Sequence, residues 1–210
     1  MTPAETSRSL VRSTTTLTLT TDHTVVTGLG MHLPDERGRV LLPFPGGHPV
    51  VAAVQQCGEV AARADLVDIA PVACPRRERN RLALTGWLSR CDDEGRWEHA
   101  GGEPLEPSEV LLALEPQVVE LDGDDVDVVD YQLAEVDPLA AHEAEVLQHL
   151  AACHGDALQA LLPGAVPLRL HRDGFVLRGV DGDVELAFGR RCTSAQEVLT
   201  CFRALLLRAG

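Results

Sequence analysis

Apolar and polar residues alternate along most of the first 136 positions, with the two-residue period of strands. Thr14 to Thr21 interleaves threonine with leucine, and Thr24 to Met31 places Val25 and Val26 beside two glycines. Gly38-Arg-Val-Leu-Leu42 follows the turn-like Pro34-Asp-Glu-Arg-Gly38. β-Branched residues suit a half-buried pleated surface, so these stretches predict three strands. Residues 3–13 predict a short helix with Pro3 in its first turn, and Val50 to Gln56 a second one, ended by Gly58. Phe44-Pro-Gly-Gly-His-Pro49 between them is expected to be a loop. Longer strands follow at Glu59–Ile69 and Arg81–Ser89, then shorter ones at Val110–Leu114 and Val118–Leu121. Six or seven strands with so little helix predict a closed or nearly closed barrel. The acidic Asp122-Gly-Asp-Asp-Val-Asp127 lacks the residue order and distal glutamate of a calcium loop, and is expected to be a solvated turn.

Val136-Asp-Pro138 ends the strand pattern, which predicts a boundary between residues 1–136 and 139–210. One amphipathic helix is expected from Leu139 to about Leu162, stopped by Pro163-Gly164. On a straight helix, Leu147, Leu150, His154, Leu158 and Leu161 share an apolar face. His142, His149 and Asp156 lie opposite, with Cys153 at the border. His149 and His154 would then point apart, unable to chelate one metal, and His154 would be a core histidine. Val166–His171, Phe175–Val180 and Val184–Phe188 predict three strands joined by Arg172-Asp-Gly174 and Asp181-Gly-Asp183 turns. Ser194-Ala-Gln-Glu197 has the form of a capping box. It opens a last helix striped with Val198, Leu199, Phe202, Leu205 and Leu206.

Composition narrows the chemistry. A net charge of −14 disfavours nonspecific binding to nucleic acid or an anionic membrane. All 18 basic residues are arginine. Without lysine there is no Schiff-base chemistry and no lysine-bearing P-loop. The six cysteines never form a C-x-x-C pair, and Met1-Thr-Pro-Ala-Glu-Thr has neither the basic nor the apolar part of a signal peptide. Buried reduced thiols in a soluble, cytoplasmic protein are therefore expected. No apolar run is long enough to span a membrane.

His149-Leu-Ala-Ala-Cys-His-Gly-Asp-Ala-Leu158 resembles the His-Met-Asn-x-Asp-His-x-Asp-Ala-Leu signature of a small C-terminal α+β domain. That domain follows a split barrel in the haem-utilisation proteins of the HugZ family, and also occurs in the plant protein that binds glutamyl-tRNA reductase. The resemblance continues through Arg172-Asp-Gly-Phe175 and Thr193-Ser-Ala-Gln-Glu-Val198, and departs at Leu150, Ala151 and Cys153. Arg81-Leu-Ala-Leu-Thr-Gly-Trp-Leu88 is similar to the R-x-x-x-x-G strand of pyridoxamine-phosphate oxidase-like split barrels, the FMN-binding type. The resemblance implies a split β-barrel, then a helix, a three-stranded antiparallel sheet and a helix. It further implies a homodimer, and a partner enzyme is a further possibility that the plant relative suggests.

The resemblance also sets two cofactors against each other. Flavin mononucleotide (FMN) needs convergent donors or cations around its phosphate. The corresponding stretch, Val40 to Val50, has no Lys, Arg, Ser or Thr, and three of its residues are proline. Haem needs an axial side chain, an apolar slot and basic groups for its propionates. Some HugZ-like proteins take their histidine from a tail after the last helix. Residues 207–210 carry none, so that ligand is not carried over. The candidate cofactor-binding residues are His149 (as the metal ligand), His48, Arg76 and Arg79. Adjacent helical positions keep Cys153 and His154 from pairing as nucleophile and base, so no catalytic residue is assigned. The expectation is haem or tetrapyrrole binding without turnover by the chain itself. The alternatives are a flavin-dependent oxidoreductase and a ligand-free interaction module.

Overall fold

The computed structural model describes the backbone of residues 1–22, 24–93 and 95–209. The chain divides into two compact units. One comprises Thr2–Asp68 and Asn80–Glu135. The other comprises Met1, Ile69–Arg79 and Val136–Gly210.

The first unit opens on α1 (Pro3–Ser13). Thr2 accepts from the Glu5 N–H while the Glu5 carboxylate accepts from the Thr2 N–H, so orphan donors at the helix start are satisfied reciprocally. Then come β1 (Leu17–Thr21), β2 (Val25–Leu29), β3 (Leu33–Pro34), β4 (Val40–Pro45), α2 (Pro49–Cys57), β5 (Glu59–Ile69) and β6 (Glu78–Arg90). The rest is α3 (Gly95–His99), β7 (Glu109–Leu121), β8 (Asp124–Val126) and α4 (Val128–Leu133). The strands form one curled antiparallel sheet in the order β2-β1-β5-β6-β7-β4-β3, with β8 paired to β7. The alternation gives the sheet one buried face. Along β5, Ala62, Ala64 and Leu66 are buried, while Ala61, Arg63 and Val67 face out. The inward set joins Leu19, Val40, Leu42, Phe44, Val54, Leu84 and Leu114 in one core. The sheet is a split barrel, as expected.

Two local expectations fail for identifiable reasons, and two elements form that the pattern did not predict. The two strands at 110–114 and 118–121 are one strand, β7, because Pro116 stands opposite Gly86 at a register shift between Thr85 and Gly86. A proline, which has no N–H to donate, is tolerated at such an irregularity. The loop expected from Phe44 begins later. Pro43, Phe44 and Pro45 still pair with Leu111, Val110 and Glu109, and Pro43 and Phe44 are buried. Two short helices carried no clear periodicity. One of them, α3, sets Trp97 against Leu41, Cys91 and Leu111 on the outer side of β4, which explains why β4 is apolar on both faces. The acidic turn has Asp122 and Gly123 both at positive φ, 56° and 91°, the left-handed pair that tight hairpins favour.

The second unit holds α5 (Glu143–Cys153), α6 (Gly155–Leu161), β9 (Val166–His171), β10 (Gly174–Arg178), β11 (Asp183–Ala187) and α7 (Ala195–Ala209). Its strands form an antiparallel sheet, β11-β10-β9. Leu147, Leu150, Leu158, Leu170, Phe175, Val198 and Phe202 form its core. The buried Asp137 carboxylate accepts from the N–H groups of Leu139 and Arg172, at 2.8 Å each. The segment Ile69–Arg79 belongs to this unit although it lies in the middle of the barrel sequence. No helix of the described residues is long and apolar enough to cross a membrane.

Candidate functional site

The expected single helix is two. His154 closes α5 and opens α6, with φ −127° and ψ 27°, outside helical geometry. Its N–H still reaches the Leu150 carbonyl and its own carbonyl accepts from Leu158, so the break leaves no backbone group unpaired at that residue. Gly155 follows it directly, and glycine is a poor helix interior. The break overturns the straight-helix geometry. His149 and His154 do not point apart: their rings are 5.1 Å apart, edge to face. His154 is only half-buried, with its ring centroid 6.0 Å from that of Phe202. It is therefore not the enclosed core histidine that an unbroken helix implied. His149 is exposed, as is His142. An exposed imidazole with a second one beside it can take an axial metal position. Among the described residues no group of three His, Cys, Asp or Glu gathers as a metal site.

His48 is differently engaged. Its Nδ1 accepts from the Val50 N–H at 3.2 Å and caps α2, and its ring lies 4.8 Å from that of Phe44. A neutral imidazole that accepts at Nδ1 carries its proton on Nε2. Ligation through Nε2 would break the cap. The surrounding apolar stretch is spent as well, because Val40, Leu42 and Phe44 fill the barrel core and Leu41 packs against Trp97 on the other face.

The two candidate arginines also separate. Arg79 is buried and bidentate to Glu143, at 2.7 and 2.9 Å, and donates to the Leu168 carbonyl at 2.7 Å. Glu143 accepts in addition from the Leu170 N–H. That guanidinium is committed to the architecture of the second unit. Arg76 is exposed in a left-handed conformation, φ 54°. Its backbone carbonyl and that of Pro75 accept from Arg178, which pairs with Asp183. Sequence reasoning missed the partnership of His154 with His149. The signal was Gly155, a helix breaker in the middle of the stretch.

A cleft of about 480 Å³ in the first unit runs between the start of α1 and residues 125–135. Glu5, Asp125, Asp127, Asp130 and Glu135 line it. Five carboxyl side chains repel a phosphate or a propionate, so this cleft fits neither cofactor. The stretch that would cradle a flavin phosphate offers no cation, and its apolar side chains are internal.

No family model matches the chain, and no curated protein does. Among solved structures, a heme binding protein from Mycobacterium smegmatis is similar over 100% of this chain and 98% of its own, with 20% identity and a TM-score of 0.65. A protein of unknown function from Agrobacterium tumefaciens overlaps 98% of this chain and 97% of its own, with 18% identity and a TM-score of 0.46. A Listeria innocua protein provisionally assigned as a pyridoxamine 5′-phosphate oxidase overlaps 58% of this chain and 98% of its own, with 16% identity and a TM-score of 0.43. The last two overlaps are too loose to bear an argument. The first spans both units and shares the fold of this chain.

Proposed function

We propose that the protein binds haem or a related tetrapyrrole at the α5–α6 break, with His149 as the axial ligand and no turnover of its own. The observation that carries this reading is the imidazole pair: an exposed His149 whose ring lies 5.1 Å from that of His154. The shared fold with a heme binding protein supports it, as does the resemblance to the HugZ family at these residues. Arg76 is the exposed cation offered to a propionate, since Arg79 is held by Glu143. The same reading makes the protein a cytoplasmic homodimer. The bound group would contribute its iron and its visible spectrum; the chain would contribute ligation and orientation.

Titration with haemin tests the ligand. The expected result is a shifted Soret band in the wild type, lost in His149→Ala and kept in His48→Ala. A spectrum unchanged by His149→Ala would refute the axial assignment. Tight binding of flavin mononucleotide with no haem response would reverse the choice of cofactor.

A further inference from the structure

Cys192 and Cys201 lie far apart in secondary structure, one in the loop after β11 and the other two turns into α7, yet their sulphurs are 3.3 Å apart. Both side chains are buried in the core of the second unit. A thiol pair at this distance can become a disulfide with sub-ångström-scale movement of each sulphur, because a disulfide bond is about 2 Å long. The other cysteines are not so placed: Cys57 and Cys153 are exposed, Cys74 is half-buried, and Cys91 sits in another cluster.

Access to the pair is one-sided. A cleft of about 240 Å³, lined by Gly189, Arg190, Thr200, Cys201, Ala204 and Leu205, reaches Cys201 and not Cys192. Arg190 lines it and is exposed, and its interactions with the Cys201 sulphur and with Glu197 raise the pKa of its guanidinium. Cys201 is thus the member of the pair that an oxidant entering the cleft meets first. Cys192 lies behind, wholly buried. Its thiol donates to the sulphur of Cys201, and burial pushes its pKa up to about 12. It therefore waits as a thiol.

We propose that Cys192 and Cys201 form a reversible redox site in which Cys201 is the peroxide-reactive thiol and Cys192 resolves it to a disulfide. The Cys201 thiolate attacks one oxygen of hydrogen peroxide. The O–O bond breaks, a sulfenic acid forms and hydroxide leaves. The Cys192 sulphur then attacks the sulfenic sulphur, the S–O bond breaks, and a second hydroxide leaves as the disulfide forms. The two thiol protons convert both hydroxides to water. Two electrons pass from the sulphurs to peroxide, and a small-molecule thiol restores the pair by exchange. The product would link the loop at 189–194 to α7, whose Phe202 adjoins both Cys201 and His154.

The test uses the intact chain, treated with stoichiometric hydrogen peroxide, alkylated and cleaved after arginine. Residues 192–203 leave as one peptide containing both cysteines, since Arg191 precedes it and Arg203 ends it. The expected product is that peptide lighter by two hydrogens, unalkylated, and restored by dithiothreitol. Cys192→Ser should lose the product and leave Cys201 trappable by dimedone. Cys201→Ser should lose it and leave Cys192 untrapped. Phenylarsine oxide, which needs two adjacent thiols, should bind the wild type and neither variant. Both cysteines recovered fully alkylated after peroxide, while Cys57 or Cys153 is oxidised, would overturn the proposal. Dimedone labelling of Cys192 in Cys201→Ser would overturn the order of the two thiols.

Discussion

Arg79 is the residue whose role is most closely defined. Its side chain is buried, bidentate to a buried Glu143, and also holds the Leu168 carbonyl, so its charge is balanced within that arrangement. Removing one partner of such a pair leaves the other as an unpaired buried charge, which costs about 3–5 kcal/mol. Arg79→Ala is therefore expected to lower stability by that order, measured by denaturant unfolding. Arg79→Met combined with Glu143→Leu should recover most of it. Two histidines add a pH dependence. Burial lowers the pKa of His32, against a hydrogen bond with Leu29, and of His171, against the charge of Glu185. Each holds its proton less tightly when folded than in the unfolded chain, where it titrates near pH 6.5. Their stability contribution is thus complete above pH 6.5 and falls as pH drops through the lowered folded values. Unfolding free energies measured from about pH 7.5 to about pH 5 should decline. In the double variant His32→Gln and His171→Gln they should decline less.

Elements depend on a few positions where ordinary spacing is broken. Gly86 in β6 faces the backbone of Glu115 and Pro116 so closely that a Cβ would collide with the Glu115 carbonyl. Gly86→Ala should force β6 and β7 apart at their register shift and cost about 1–3 kcal/mol, read from thermal melts. His48→Ala should cost about 1 kcal/mol through loss of the α2 cap, and leave haem binding intact. These positions also show what the sequence can convey. The strand at Glu59–Ile69 was legible to the residue because alternation and burial follow the same period there. Pro116 misled because its cost depends on which residue stands across the strand, a long-range fact. The 139–162 stretch misled because helical periodicity persists across the kink while the phase of the side chains does not. The Cys192–Cys201 approach and the Arg79–Glu143 pair were invisible for the same reason: sequence distance carries no information about them.

At the scale of the whole molecule, the outer face of the barrel sheet leaves Val67, Trp87 and Val118 exposed, Trp87 at 46%. Aromatic and β-branched residues left uncovered on a sheet mark an interaction surface, and a second copy of the chain is the occupant the split-barrel resemblance implies. Light scattering should give twice the 22.6 kDa chain mass, and Trp87→Arg should return the monomer value. A monomeric wild type at micromolar concentration would remove the dimer from the reading.

The grouping of Ile69–Arg79 with the second unit has a consequence for how such a chain could be assembled or taken apart. The last 75 residues, Val136–Gly210, look like a cassette that one cut would release. They are not one, because Arg79 sits 57 positions upstream of the cut, and Glu143 loses its bidentate partner without it. A fragment beginning at 136 should fail to unfold cooperatively, and one that carries residues 69–79 on a linker should recover. Anyone who transplants this unit must therefore carry two pieces, 69–79 and 136–210, and a graft of the second alone leaves the guanidinium behind.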